Sequence, residues 1–329
     1  MARLRMPDNR RLFGANIVPT AADVAPAAGQ QAWINMFLNW DWDGWVKPQV
    51  DYLCGNGIGA NCLRMIGSQE GVITGRFSQD YHDSRLEQLI TYCRSLGVHY
   101  FLCTGGVQQP LVDTLAAGWL TPQLLARVQA TTINRVGVYD NVIGCDLLQE
   151  AQGGTFGNSF LIPMVSEVRR LTNNLLPLTC SASMVNTSAG VPIPGPTGEN
   201  WLLNAGDGRM AQYFDFISGH LYFRALDNTW FDQFTSAFPN HDILIGEFGQ
   251  NLGGGVTAQV NDYSRYLSMG NAPIRQVRGA LCWAASDQSV SAAEQWGVYS
   301  ATFAARPWML DVLRQYTLGS VVKGNTARR

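Results

Sequence analysis

The sequence has little that would suit a nucleic acid, an anionic membrane or a metal ion. Lysine and arginine number 23 against 25 aspartates and glutamates, so the net charge is only −2 and predicts no nucleic-acid partner. The four histidines show no metal-ligand spacing, and neither a metal nor a cofactor is predicted. No apolar run approaches the roughly 20 residues of a membrane-spanning helix, so no membrane partner is predicted either.

The sequence also lacks a recognisable secretory signal. The start carries Arg3, Arg5, Arg10 and Arg11, but no apolar segment follows them. Seven cysteines are scattered singly, without a Cys-x-x-Cys pair, and this predicts free thiols in a reducing compartment. We therefore expect a protein that is cytoplasmic at synthesis, with carriage on a virion or export without a signal peptide as the alternatives.

Short apolar runs alternate with segments of helical period along the whole chain, which favours repeated βα units. Eight strands are predicted, at 13–18, 60–65, 98–103, 142–148, 178–184, 215–221, 242–247 and 278–283. Helices are predicted at 43–54, 84–95, 122–136, 159–173, 228–237, 256–268 and 306–316. This pattern predicts a single (β/α)8 TIM barrel over 13–317, with a basic arm at 1–12 and a polar tail at 318–329.

A doubly wound open sheet is the alternative fold. It is disfavoured because no Gly-x-Gly-x-x-Gly motif follows the first strand. The segment 186–210 departs from the βα rhythm, because it is proline- and glycine-rich, contains Trp201 and is too long for a plain connection. We predict that this segment forms a wall or lid of a cleft.

Polar residues stand at the carboxyl ends of several predicted strands, which in a barrel all face one mouth. Glu150 and Glu247 each end an apolar strand, where a carboxylate is held rigidly and is open to a ligand. The other polar or aromatic residues at these ends are Arg64, Gln149, His220, Tyr222 and Trp283. Two carboxylates that face each other across a barrel mouth suit the cleavage of a glycosidic bond.

Over nearly its full length the chain resembles the clan A retaining glycoside hydrolases, most of all the family 5 cellulases and mannanases. That family has arginine ending strand 2, an Asn-Glu-Pro acid/base motif ending strand 4, His-x-Tyr on strand 6, a nucleophilic glutamate ending strand 7 and tryptophan on strand 8. The matching residues here are Arg64, Glu150, His220 with Tyr222, Glu247 and Trp283, and Asp146 repeats the family's acidic residue before the acid/base.

The resemblance implies a cofactor-free, retaining, endo-acting β-glycoside hydrolase that cleaves a polysaccharide or oligosaccharide. Glu150 would be the acid/base, Glu247 the nucleophile, and Trp283 a platform for a sugar ring. The chain departs from the family where Gln149 replaces the asparagine that contacts the substrate 2-hydroxyl. Ala151 replaces the following proline, and Thr104, Gly105 and Gly106 replace the histidine region of strand 3.

Other interpretations stay open at this stage. One is a non-catalytic glycan-binding or structural virion protein, such as a phage tail component, on the same barrel. Another is a metal-free isomerase or lyase, which would need a phosphate-gripping glycine-rich turn, and 253–255 is the candidate. Arg64 could serve only as the counter-ion of Asp146, while His220 and Trp283 could be core residues.

Overall fold

The computed structural model describes residues 3–6, 10–20, 32–55, 58–105, 118, 120–150, 157–183, 210–222, 228–287 and 295–322. The predicted loop 186–210 lies outside these residues except for its last position. Gly106, Ala151 and Trp201 lie outside them as well. Among the described helices, none combines the length and the apolar composition needed to span a membrane.

Eight strand positions form a nearly closed parallel barrel, which confirms the predicted TIM barrel. The strands are β1 (Leu12–Ile17), β2 (Cys62–Ile66), β3 (His99–Cys103), β4 (Val142–Asp146), β5, β6 (Phe216–Leu221), β7 (Asp242–Phe248) and β8 (Val277–Cys282). β5 consists of two short segments, Leu178–Thr179 beside β4 and Ala182–Ser183 beside β6. β1 pairs with β2 and β8, so the strands follow one another around the ring.

The described helices lie between the strands, as repeated βα units require. They are α1 (Ala32–Leu38), α2 (Lys47–Gly55), α3 (Gln69–Ile73), α4 (Gln79–Ser95), α5 (Pro122–Val136), α6 (Ile162–Thr172), α7 (Asn228–Ala237), α8 (Val256–Gly270) and α9 (Pro307–Val322). π-helical turns at Trp42–Val46 and Gly157–Leu161 lead into α2 and α6, and 3₁₀ turns lie at Met210–Tyr213 and Leu252–Gly254.

Helix ends follow local capping chemistry where the sequence supplies it. α5 begins where predicted, because the Thr121 side chain accepts the backbone N–H of Leu124 and Pro122 occupies the first turn. α4 begins at Gln79, before the predicted start at 84, because Ser78 caps it through the N–H of Tyr81. α9 continues to Val322, into the segment that was predicted as a polar tail.

The barrel interior is layered, and its lower layer is apolar. Eight buried side chains form this layer: Leu4, Leu12, Cys62, Phe101, Ile143, Phe216, Leu244 and Leu281. Leu4 comes from the segment predicted as a basic arm, and its backbone N–H donates to Asp242 at 3.2 Å. This apolar layer fills the barrel interior on the side of the amino ends of the strands. The polar side chains near the carboxyl ends therefore face the mouth at the other end of the barrel.

Candidate active site

Glu247 lies near the carboxyl end of β7 and is held from two sides. Its side chain is only 2 % exposed, and its Oε1 lies 2.5 Å from Nη1 of Arg64. Its Oε2 accepts a hydrogen bond from the Tyr222 hydroxyl. Irregular pairing in β6 and β7 places His220 opposite Glu247. The sequence-predicted partners Arg64, His220 and Tyr222 therefore all reach this carboxylate.

Arg64 links the strand ends through a fully buried guanidinium group. Besides Glu247, it contacts Asp146 through Nη2 at 2.9 Å and Asn16 through Nη1 at 2.7 Å. Burial by itself lowers the pKa of Arg64, but the surrounding Cys103, Glu247 and Asp146 outweigh burial and raise that pKa. Arg64 is thus a permanent cation. It pairs with Asp146, as expected if it were only the counter-ion of that residue, but it also pairs with Glu247.

Asn16 is a site residue that the sequence analysis missed. It lies on β1, is fully buried, and its Nδ2 donates to the backbone oxygens of Gly246 and Cys282 at 3.1 and 3.2 Å. Its Oδ1 accepts from Nη1 of Arg64, whereas Asp146 contacts Nη2, so the two residues orient the guanidinium together. The available signal was an amide inside the apolar run of β1, where a buried polar group needs partners.

Glu150 follows β4 and adopts a left-handed backbone conformation with φ of 48°. Its backbone N–H donates to the Ser181 hydroxyl at 3.0 Å, and Ser181 lies between the two segments of β5. Its side chain is 37 % exposed, and Oε1 lies 3.1 Å from Nδ1 of His220. Glu150 is therefore fixed through its backbone while its carboxyl group stays open to the mouth.

His220 lies between the two glutamates. Its Nδ1 is 3.1 Å from Glu150 Oε1 and 3.4 Å from Glu247 Oε2, and the ring is fully buried. One atom each of Glu150, His220 and Glu247 lies within 4.8 Å of the others. The two carboxylates, predicted to share one mouth from their positions in the sequence, are therefore neighbours in space.

Tyr222 contacts Glu247 as a neutral donor. Burial first, and then the negative charges of Glu247 and Glu150, raise the pKa of Tyr222 well above its ordinary value. The phenol ring packs edge-on against Trp296, with the ring centroids 5.6 Å apart. Because the phenol keeps its proton, its hydroxyl can stabilise the ionised form of Glu247.

Trp283 directly follows β8 and is mostly buried. Only 8 % of the residue is exposed, and it packs with Val18, Met36 and Ile66, while Tyr222 and Trp296 pack against the same cluster. Most of its indole therefore contributes to the wall of the mouth. Trp296 is more exposed and lies beside Tyr222, so a sugar-stacking surface would include it.

The two departures from the family pattern have different local structures. Gln149 is half-buried, and its buried Oε1 has no hydrogen-bond partner within the described residues. At the end of β3, a side chain at Gly105 would place its Cβ 2.4 Å from the backbone oxygen of Leu147. No side chain fits at Gly105, whereas the Gln149 oxygen keeps its capacity to accept a hydrogen bond among the residues that the structure describes.

Glu150, His220 and Glu247 present the kinds of atoms that bind a divalent cation. The positive charge of Arg64 already lies against Glu247, and the Tyr222 hydroxyl occupies the other oxygen of that carboxylate. A second cation at the same carboxylate would be repelled by Arg64. The arrangement therefore suits acid/base and nucleophilic chemistry of two carboxylates better than metal binding.

No family model and no curated protein matches the sequence. Solved structures do match: β-glucuronidase from Ruminococcus gnavus in complex with D-glucuronic acid has a TM-score of 0.63 at 13% identity, covering 93% of this chain and 49% of that one. The apo structure of the same enzyme gives 0.62 at 13% identity, covering 93% and 50%. The chain thus spans about half the length of these neighbours, and what it shares with them is the barrel fold.

Proposed function

We propose that the chain is a retaining, endo-acting β-glycoside hydrolase. The observation that carries the proposal is that one carboxylate oxygen of Glu150 and one of Glu247 lie within 4.8 Å of each other at one barrel mouth. Retaining enzymes hold their two carboxyl groups about 5–5.5 Å apart, whereas inverting enzymes keep about 6.5–9.5 Å for a water molecule. The distance thus supports double displacement. The motif resemblance to the family 5 cellulases and mannanases supports the same conclusion.

The surroundings of the glutamates support different roles for them. Glu247 is buried against a permanent cation, Arg64, and receives the Tyr222 hydroxyl, so both of its oxygens are held by donors, as suits a nucleophile. Glu150 lies beside His220 at 3.1 Å, and its side chain is 37 % exposed, against 2 % for Glu247. It can exchange protons with a leaving group and then with water, as an acid/base residue requires.

The reaction would proceed in two displacements. A carboxylate oxygen of Glu247 attacks the anomeric carbon while protonated Glu150 gives its proton to the glycosidic oxygen, which leaves as an alcohol. The sugar is then held as an ester of Glu247. Ionised Glu150 next removes a proton from water, the resulting hydroxyl oxygen attacks the same carbon, and Glu247 is released. Each displacement inverts the carbon, so the product keeps the β configuration.

The substrate is proposed by class as a polysaccharide or oligosaccharide. Gln149 lies beside the acid/base, and its side-chain oxygen, which has no partner in the described part of the chain, suits a sugar hydroxyl. Trp296 offers an aromatic surface for the apolar face of a ring. One of the structural neighbours is a β-glucuronidase in complex with D-glucuronic acid, so β-glucuronides belong in the test beside neutral glycans.

A panel of plant and bacterial cell-wall glycans and β-glucuronides, with mass detection of products, tests the proposal. NMR of the first-formed product should show the β anomer, and products of intermediate length indicate endo action. Glu247→Gln should abolish the release of sugar products, whereas the matched variant Glu167→Gln, at a half-buried glutamate on α6 paired with Arg170, should retain it. Binding of a glycan without turnover by the unmodified chain would support the non-catalytic alternative, and detection in purified virions would test virion carriage.

A further inference from the structure

A small basic pocket lies on the face of the barrel opposite the glutamates. It has a volume of about 100 Å³ and is lined by Arg3, Pro239, Asn240, His241, Asp242, Arg275, Gln276 and Arg278. Asp242 begins β7, so the pocket is roughly 17 Å along the strand from Glu247, at about 3.3 Å per residue. Three arginines against one aspartate give the lining a positive charge, although the whole chain carries −2.

The single acidic residue of this lining is already paired. Asp242 accepts from Arg278 Nη2 at 2.7 Å through Oδ1 and from the backbone N–H of Leu4 through Oδ2. Its charge therefore offsets that of Arg278 and leaves Arg3 and Arg275, which are both exposed. Arg11 is a further cation near Arg278. Burial first, and then the charge of Arg278, lower the pKa of Arg11.

Two buried nitrogen atoms of the lining have no partner within the part of the chain that the structure describes. One is Nε of Arg278, which can only donate. The other is Nδ1 of His241, a residue that is 9% exposed. His241 places Nε2 3.0 Å from the backbone oxygen of Ala211, so Nε2 is the ring nitrogen that donates. Nδ1 then offers a lone pair and can accept a hydrogen bond.

We propose that this pocket binds a phosphate group, as inorganic phosphate or as a phosphate monoester. An oxyanion would supply acceptors for the arginines, and buried unpaired donors call for such a partner. The acceptor at His241 distinguishes among oxyanions, because hydrogen phosphate carries an O–H donor and sulfate carries none. The site lies away from the glutamates, and its ligand would be bound rather than turned over.

Isothermal titration of the full chain with inorganic phosphate and, separately, with sulfate at pH 7 and constant ionic strength tests the proposal. Phosphate should bind, and sulfate should bind about tenfold more weakly because it cannot donate to His241. Glucose 6-phosphate forms a third arm. If it binds more tightly than the free ion, the site belongs to a phosphate monoester, and if more weakly, to inorganic phosphate.

Variants connect the binding to the pocket. Arg275→Ala should weaken phosphate binding about tenfold, because it removes an exposed charged donor from the lining. Arg127→Ala, which removes an exposed arginine from α5, should leave binding unchanged. His241→Phe should abolish the preference for phosphate over sulfate. No binding of phosphate, equal affinity for sulfate, or equal effects of the two arginine variants would overturn the proposal, whether or not the chain hydrolyses a glycan.

Discussion

The hydroxyl of Ser181 accepts the backbone N–H of Glu150 at 3.0 Å, while the backbone N–H of Ser181 donates to Asp146 Oδ1 at 2.9 Å. The other oxygen of Asp146 contacts Arg64, and Arg64 contacts Glu247. A continuous series of polar contacts therefore joins the two glutamates underneath the mouth. Ser181 is the member that fixes the backbone of Glu150 in its left-handed conformation, which non-glycine residues rarely adopt.

Ser181→Ala should lower kcat about tenfold with little change in KM, because the hydrogen bond that holds Glu150 in place is lost. Ser181→Thr keeps a hydroxyl and should restore most of the rate. Ser95→Ala, at the exposed end of α4, is the matched control and should behave as the unmodified chain. Steady-state kinetics and thermal melting of all three variants check the prediction, and unchanged kcat in Ser181→Ala would exclude a positioning role.

The sequence was sufficient for the order of the strands and for the location of both glutamates at strand ends, but not for the break in β5. Strands buried on both faces read as apolar runs, so a carboxylate at the end of such a run, as in Glu247, is conspicuous. Asn16 and Ser181 were missed because a single small polar residue in or beside a strand has no spacing that marks it. Their roles follow from contacts across the barrel, which local patterns do not encode.

Local signals also explain the errors in the helices. α1 and α3 are too short for a helical period to be visible in the sequence. One continuous strand was predicted at 178–184. In the structure β5 is broken at Cys180 and Ser181 into the segments Leu178–Thr179 and Ala182–Ser183. The departure at Ser181 is where the chain contacts Glu150, so the irregularity belongs to the candidate site.

Azide should rescue the two glutamate variants with opposite stereochemistry. In Glu247→Ala, azide can occupy the space of the lost carboxylate and attack an activated aryl β-glycoside directly, giving the α-glycosyl azide. In Glu150→Ala, azide instead attacks the ester of Glu247 and gives the β-glycosyl azide. Glu150→Ala should also lose about 10²–10⁴-fold in rate on substrates with poor leaving groups. NMR of the azide products checks the prediction, and the same anomer from both variants would contradict the assigned roles.

Tyr222→Phe should lower kcat/KM by about tenfold to a hundredfold, because a hydrogen bond to a charged group is worth about 1.5–3 kcal/mol. The raised pKa of Tyr222 means that its hydroxyl loses its proton only well above pH 10. Any decline in activity on the alkaline side below pH 10 therefore comes from another group. The pH profiles of the variant and of the unmodified chain should decline over the same alkaline range, and a decline that disappears in Tyr222→Phe would refute this.

Alkaline pH should destabilise the fold through its buried thiols. Burial raises the pKa of Cys282 from an ordinary 9.0 to about 12. In the unfolded chain this thiol ionises first, so its contribution to stability is complete below pH 9 and is lost as pH rises from 9 towards 12. One such group lowers the free energy of unfolding by about 1.4 kcal/mol per pH unit in that range. The free energy of unfolding, measured by denaturant titration under reducing conditions at several pH values between 9 and 12, should fall with pH. Its slope against pH should be shallower by this amount in Cys282→Ala and unchanged in Ser95→Ala. Equal slopes in all three proteins would mean that Cys282 is accessible to solvent in the folded state.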